Sequence, residues 1–270
     1  MEETIMNKTL FLKEFKSNYK IILIFMAVLT MYSSMIVAMF DPKLGESLKM
    51  MEQSMSDLFN AFGMGNSATT LIEFVGNYLY GFIVIVFPMV FIILMVNRLI
   101  SRYIDKGSLA YLLATPNKRS RISITQGIFL AFALLLLVIY ISVLVILVSQ
   151  ILFPNDLDVS SFLLLNIGLY GLLLFLSSIC FLSACFFQEA RFSTGVGAGI
   201  LIASVLLQMV SQVGDKFEFL KYATPLTLFD VNGILASHQE AFVKVGVLYI
   251  VAIILYFIAI KLFKRRDFSI

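Results

Sequence analysis

The chain has 270 residues, of which 60% are hydrophobic and 14% are charged, and its mean hydropathy is +0.95. Soluble domains carry about 25% charged residues, so this composition excludes a water-soluble globular protein and predicts a chain whose solvent is the bilayer. The net charge of +3 is small, and because no long basic run is present we expect no nucleic-acid partner. Cys180 and Cys185 lie in one apolar run, at a spacing typical of packing residues and not of a metal or redox site.

Residues 1–20 predict an interfacial helix that lies along the membrane surface. Aromatic side chains recur every four residues, at Phe11, Phe15 and Tyr19, and lysines occupy the other faces. Such a helix places its apolar side in lipid and its lysines near anionic head groups. The segment lacks a short apolar core followed by a small-residue cleavage site, so we do not expect a cleavable signal peptide.

Residues 21–270 predict a single transmembrane domain with six spans. A spanning helix needs about 20 predominantly apolar residues. The expected spans are about 21–40, 74–97, 124–150, 160–187, 192–213 and 243–262. The sixth is short, but Lys244 and Lys261 can extend along its ends towards water and lengthen its apolar reach.

The distribution of charge predicts the orientation of these spans. If both termini are cytoplasmic, 15 of the 20 Lys and Arg residues lie on the cytoplasmic side, and 11 of the 17 acids lie outside. Cytoplasmic loops carry the excess of basic residues in most membrane proteins. We therefore expect a multi-pass protein of the cell membrane with both termini in the cytoplasm.

Two outer segments are too long to be plain turns. Residues 41–73 combine methionines and phenylalanines with acids and predict one amphipathic helix at the outer surface. Residues 215–243 are broken by Pro225 and Gly233 and contain apolar clusters. This pattern predicts short helices that dip partly into the membrane before the sixth span.

The loop between the second and third spans predicts a short helix of its own. Residues 97–126 hold six Lys and Arg residues and one acid, Asp105. Gly107 and Ser108 can start a helix, because the serine side chain can cap free backbone N–H groups. Pro116 disfavours helix at the preceding residue and so ends it after about two turns.

Leu109, Leu112 and Leu113 lie on one face of this short helix. The face either rests on the membrane surface or the other spans, or it docks into a partner with Asp105, Lys106 and Lys118 in a polar rim. An apolar cluster ringed by charge is typical of an interface hot spot.

The spans offer little chemistry. Apart from Lys244 and Lys261 at the ends of the sixth, they contain no charged residue. The chain has no phosphate-binding loop, no nucleophile with its base and no metal-binding motif. His238 and Asp230 lie in the outer loop without an evident second ligand or base. We expect a transport subunit and not an enzyme.

A few residues in the spans are candidates for helix packing or for a substrate pathway. Asn77 and Tyr80 are polar residues of the second span, where Pro88 predicts a kink. Gly195 and Gly199 form a small-xxx-small pair in the fifth span, which allows close helix approach. The pair serves either packing inside the subunit, or a subunit contact or pathway surface.

Three motifs in chain order resemble the membrane subunit of type-2 ABC exporters, the permease family whose ATPase is often a separate chain. Residues 105–116 have the order acid, Gly-Ser-Leu, apolar pair and Pro, with Ser108 where that family usually has Thr. Residues 220–226 and 263–267 are similar to the segments that precede and follow the last span in that family. The resemblance covers the whole chain and does not identify the substrate.

The resemblance implies an interfacial connecting helix, a cytoplasmic coupling helix between spans two and three, and re-entrant outer helices before span six. It also implies a second permease subunit, identical or homologous, and two copies of an ABC ATPase. ATP and magnesium belong to that ATPase, and no cofactor is expected on this chain. The implied coupling residues are Asp105, Gly107, Ser108, Leu109, Leu112, Leu113, Pro116 and Lys118.

The expected cargo is an amphipathic or hydrophobic molecule, such as a drug, an antimicrobial peptide or a lipid-like compound, because the spans lack a buried charge. Sodium export is a less favoured alternative. A membrane sensor or interaction protein without transport activity is the rival class, and an intramembrane enzyme is a third.

Overall fold

The computed structural model describes residues 6–40, 50, 54–64, 68–101, 119–187, 189–213 and 215–265. Regular structure in these ranges is entirely helical. The α-helices are α1 (Lys8–Ala38), α2 (Ser56–Ala61), α3 (Leu71–Tyr78), α4 (Ile83–Val96), α5 (Arg119–Leu152), α6 (Val159–Phe186), α7 (Ala190–Ser211), α8 (Val231–Leu235) and α9 (Gln239–Arg265). A π-helical turn, Asn97–Ser101, continues α4, and 3₁₀ helices occupy Asp215–Ala223 and Pro225–Leu228.

Within the described ranges, six helices are long and apolar enough to cross a membrane: α1, α4 with its π-helical turn, α5, α6, α7 and α9. Their number, six, agrees with the number of spans expected from the sequence. The chain is an all-helical, multi-pass membrane protein.

The division expected at residue 20 is not a break in the structure. α1 runs from Lys8 to Ala38 as one helix, capped at its start by the Asn7 side chain, which accepts from the Leu10 backbone N–H. No Gly or Pro occurs between Lys8 and Ala38, so nothing in the sequence stops the helix there. A position of residues 8–20 along the membrane surface remains a prediction.

The second span begins later than expected. α3 is a separate helix that starts in a capping box between Thr70 and Glu73, and the chain turns at residues 79–82 before α4 begins. Gly81 is required in this turn. A Cβ at this position would lie 2.4 Å from the Asn77 carbonyl oxygen and 2.8 Å from that of Phe62.

The outer segments differ from the expectation in one case and agree in the other. The described part of residues 41–73 contains the short helix α2, followed by Gly63 with a φ of +71°. A single amphipathic helix over 41–73 is therefore wrong, because α2 ends here and Thr70 caps the next helix. Residues 215–243 do form short helices, whereas their dip into the membrane remains a prediction.

The helices pack around α6, the most enclosed of the six spans. α9 and α7 pack along α6, and α1 packs along α5. Aromatic pairs join neighbouring helices, such as Phe25 and Phe91 with ring centroids 5.2 Å apart. We call the end of the bundle that carries Ser101 and Arg119 the loop end, because residues 102–118 join these two positions, and we call the other end the opposite end.

Candidate functional site

The eight coupling residues named above all lie in residues 102–118, outside the described residues. Their helix and its leucine face remain predictions. The structure does describe both flanks of this segment. Polar side chains on these flanks form hydrogen bonds to other helices, in two groups.

The first group of contacts, which we call the Glu14 cluster, consists of Glu14, Asn18, Arg98 and Gln126. Glu14 and Gln126 are each 2% exposed, and Asn18 is 1% exposed. The Glu14 carboxylate accepts from Gln126 Nε2 at 3.1 Å and from Asn18 Nδ2 at 3.2 Å. Arg98 Nε donates to Asn18 Oδ1 at 2.8 Å. The cluster therefore joins α1 to the end of α4 and to the start of α5.

Two further bonds strengthen this junction. The Asn7 backbone N–H donates to Thr125 Oγ1 at 3.0 Å, and Arg98 donates to the Ser17 carbonyl oxygen at 3.3 Å. Gln126 Oε1 is buried without a hydrogen-bond partner among the described residues. Buried polar groups that keep their partners fix the relative position of the helices that carry them.

The second group, the hydroxyl cluster, consists of Asn97, Ser101, Ser183, Ser193 and Thr194. Ser101 Oγ lies 2.6 Å from Ser193 Oγ, and both residues are fully buried. Thr194 Oγ1 lies 3.2 Å from Ser101 Oγ and 3.3 Å from Asn97 Oδ1. Ser183 Oγ donates to the Ser193 carbonyl oxygen at 2.7 Å. These bonds join the π-helical turn to α6 and to the start of α7, and π-helical turns are frequent at functional sites.

The candidates in the second span are interior residues of this chain. Tyr80 is fully buried, and its hydroxyl donates to Asn166 Oδ1 at 2.7 Å, so it joins the turn before α4 to α6. Asn77 is 3% exposed, and Pro88 is buried inside α4. Tyr80 and Asn77 thus contribute to helix packing within the chain.

Gly195 and Gly199 lie on the exposed face of α7. A Cβ added at either position would meet no atom of the described residues within 4 Å. No described residue of this chain packs closely against the pair, and its role remains a prediction. Gly197, between them, does face the bundle, where a Cβ would lie 3.2 Å from the Cys180 Cα.

A cavity of about 430 Å³ lies at the opposite end, and we call it the opposite-end cavity. Its lining comprises Asn60, Gly63, Tyr80, Gly81, Ile85, Gln208, Gln212, Leu226, Thr227, Phe229, Asp230, Val231, Asn232 and Lys244. Asp230 Oδ2 lies 3.4 Å from Lys244 Nζ, an ion-pair partner that was not evident in the sequence. His238 is exposed, as expected for a solvated loop residue.

Sequence reasoning did not identify the Glu14 cluster or the cavity. The signal for the cluster was a lone acid, Glu14, one helical turn before Asn18. The cavity gave no local signal, because its lining comes from segments that are distant in the sequence. Within the described ranges, no three His, Cys, Asp or Glu side chains come together as metal ligands would.

The fold and these clusters define a multi-pass membrane protein with a polar junction at one end. Residues 34–269 match the DUF2705 family, described as proteins of unknown function, and the chain belongs to that family. A comparison with curated proteins gave no match.

Proposed function

We propose that this chain is the membrane subunit of an ATP-driven ABC exporter that moves an amphipathic or hydrophobic molecule out of the cell. The observation that carries the proposal is the pair of polar clusters at the loop end. They hold the flanks of residues 102–118, the segment whose motif resembles the coupling helix of type-2 ABC exporters, against two other spans, α1 and α7.

The clusters provide a physical route from that segment to the spans. Arg98 precedes the segment and bonds to α1, while Gln126 follows it and bonds to Glu14 on the same helix. Ser101 connects the N-terminal flank to Ser193 on α7. A displacement of the segment by a partner would therefore act on α1, α4, α5 and α7 together. Hydrogen bonds that involve a charged partner, as at Arg98 and Glu14, are the stronger kind for this purpose.

The exposed glycine face of α7 supports a second permease subunit. The face continues beyond Gly195 and Gly199 with the exposed apolar residues Val196, Ile200 and Leu206. Small residues let helices from two subunits approach closely in a membrane. In this proposal the substrate pathway runs between two permease subunits, and ATP and magnesium bind to two copies of a separate ATPase chain.

The proposal is tested at the leucine face of residues 102–118. Leu112→Asp and Leu113→Asp place a charge in the apolar anchor and should remove more than about 90% of the ATPase that copurifies with the chain, because truncated anchors cost interfaces roughly 2 kcal/mol or more. The measurement is quantitative mass spectrometry of the purified complex together with ATP hydrolysis in nanodiscs. Leu58→Asp is the matched control, because Leu58 is an exposed leucine of α2 at the opposite end.

The outcomes separate the two leading classes. If an ATPase copurifies with the unmodified chain and is lost only in the loop variants, the exporter proposal is supported. If both loop variants keep the ATPase and its substrate-stimulated hydrolysis, this segment does not couple the two chains. If no ATPase copurifies with the unmodified chain from its native membrane, the chain fits a membrane sensor or interaction protein better.

A further inference from the structure

The polar side of the opposite-end cavity presents one charge of each sign. Asp230 and Lys244 are only partly buried, with side chains 38% and 36% exposed, and their nearest polar atoms are 3.4 Å apart. Asp230 Oδ1 also accepts from the Gly233 backbone N–H at 2.9 Å, which fixes the position of the carboxylate at the start of α8. The pair is therefore anchored and accessible at once.

Side-chain amides continue this polar side along α7. With the Gln212 nitrogen oriented towards the Asn60 carbonyl oxygen at 2.9 Å, its oxygen accepts from Gln208 Nε2 at 3.1 Å. Thr227 Oγ1 lies 2.9 Å from Gln208 Oε1 and 2.7 Å from the Lys221 carbonyl oxygen. Its single proton serves only one of these acceptors. When Thr227 donates that proton to the carbonyl oxygen of Lys221, Gln208 Oε1 can accept a hydrogen bond from a donor in the cavity.

The other side of the cavity is apolar. Ile85, Leu226 and Phe229 contribute to the lining, and a crevice of about 20 Å³ between α4 and α7 adjoins it. The crevice shares Ile85 and Leu226 with the cavity and adds Val86 and Val205. The space thus passes from paired charges and amides to aliphatic side chains over a short distance.

We propose that the opposite-end cavity binds a lipid-like amphiphile with a zwitterionic head group. The ammonium of the ligand faces Asp230 and Gln208 Oε1, its phosphate faces Lys244, and the first carbons of its chain lie against Ile85 and Leu226. A cavity of this size is within the range of about 300–1,000 Å³ that small-molecule sites occupy. A ligand with both charges keeps Asp230 and Lys244 paired, whereas a singly charged ligand leaves one of them uncompensated as water is displaced.

Membrane lipids are the amphiphiles present at the ends of spans, which favours them over soluble ligands as occupants. The probe is lysophosphatidylethanolamine, and lysophosphatidylglycerol is the matched probe with a phosphate but no ammonium. Binding to the purified full chain is titrated by native mass spectrometry. We expect lysophosphatidylethanolamine to bind more tightly.

Asp230→Asn removes the charge but leaves an oxygen that can accept from the Gly233 N–H, so the start of α8 is retained. This variant should bind lysophosphatidylethanolamine about fivefold more weakly, the upper end for partly exposed charge pairs. It should bind lysophosphatidylglycerol at least as tightly as the unmodified chain does, because the negative charge beside Lys244 is gone. Asp156→Asn, an exposed acid outside the cavity, should match the unmodified chain with both probes.

Equal binding of the two probes to the unmodified chain would overturn the proposal, as would unchanged lysophosphatidylethanolamine binding by Asp230→Asn. Lys244→Gln provides an independent test if the first variant does not fold. This variant should weaken the binding of both probes, because both carry a phosphate. Unchanged binding of both probes would contradict the proposed site. None of these results bears on ATPase copurification, so this site and the exporter proposal fail or stand separately.

Discussion

At the scale of single residues, Glu14 shows most clearly what the sequence could and could not predict. The helical pattern of residues 8–20 places lysines and aromatic residues on different faces, and this pattern alone is typical of an interfacial helix. It cannot show that α5 covers one of these faces. In the structure, Phe11 packs against Phe129 with ring centroids 5.4 Å apart, and Glu14 is buried beside Gln126. Only Phe15 and Tyr19 of the aromatic trio stay exposed.

Asp158 offers a residue-scale prediction outside the spans. It is the N-cap of α6, and its carboxylate accepts from the backbone N–H groups of Ser160 and Ser161. Asp158→Ala removes this cap and should lower the free energy of unfolding by about 0.5–1 kcal/mol, the lower part of the range for cap deletions because the site is exposed. Thermal unfolding of the detergent-solubilised chain at pH 7 is the measurement, and an unchanged midpoint would contradict the capping role.

The same residue predicts a pH dependence. Hydrogen bonds from the Ser161 hydroxyl, and then from the Ser160 hydroxyl, hold the pKa of Asp158 below its ordinary value of 3.8. A carboxyl whose pKa is lower in the folded state stabilises the fold above its unfolded pKa, and this contribution is lost as the pH falls through the folded pKa. Asp158→Asn should therefore lose less stability than the unmodified chain on acidification below pH 4. The measurement is the midpoint of thermal unfolding as a function of pH, and parallel curves for the two chains would contradict this prediction.

At the scale of elements, span number and approximate position could be predicted because length and apolarity are enough to define a membrane helix. The turn at residues 79–82 could not be predicted, because the residues around it are as apolar as those of a span. Gly81 is the one residue in this turn whose type indicates a break in the helix. The need for glycine arises from the Asn77 carbonyl oxygen and from the close approach of residues 62 and 63 to the turn. That approach is a tertiary contact, which local sequence does not reveal. The opposite-end cavity was missed for the same reason.

Two glycines provide a matched pair of substitutions at this scale. Gly81→Ala forces a Cβ to within 2.4 Å of the Asn77 carbonyl oxygen and should destabilise the chain by about 1–3 kcal/mol, as overpacking does elsewhere. Gly199→Ala meets open space and should leave the stability of the isolated chain unchanged or slightly higher, because Ala favours helix. Thermal unfolding of both variants in detergent is the measurement. Equal midpoints for the two would contradict the close contacts of the turn with Asn77 and with residues 62 and 63.

At the scale of the whole molecule, the arrangement separates two polar regions by the length of the bundle. The Glu14 and hydroxyl clusters lie at the loop end, and the opposite-end cavity lies beyond the other ends of α4, α7 and α9. α4 and α7 contribute to both regions, since Asn97 and Ser193 belong to the hydroxyl cluster while Ile85 and Gln208 line the cavity. A movement of α4 or α7 that begins at the loop end would therefore also displace side chains that line the cavity.

This relation has functional meaning only if the loop end faces the cytoplasm, as the 15 of 20 Lys and Arg residues assigned to that side predict. Lys264→Cys at the end of α9 and Tyr222→Cys, which replaces a side chain 83% exposed at the opposite end, test the orientation. The native Cys180 and Cys185 are buried, so they should give little background labelling. In intact cells, a membrane-impermeant maleimide should label Tyr222→Cys and leave Lys264→Cys unlabelled until the membrane is permeabilised. Labelling of Lys264→Cys from outside would show that the orientation is the reverse of the predicted one, with residues 102–118 outside the cell. The physical basis for coupling to a cytoplasmic ATPase would then be lost.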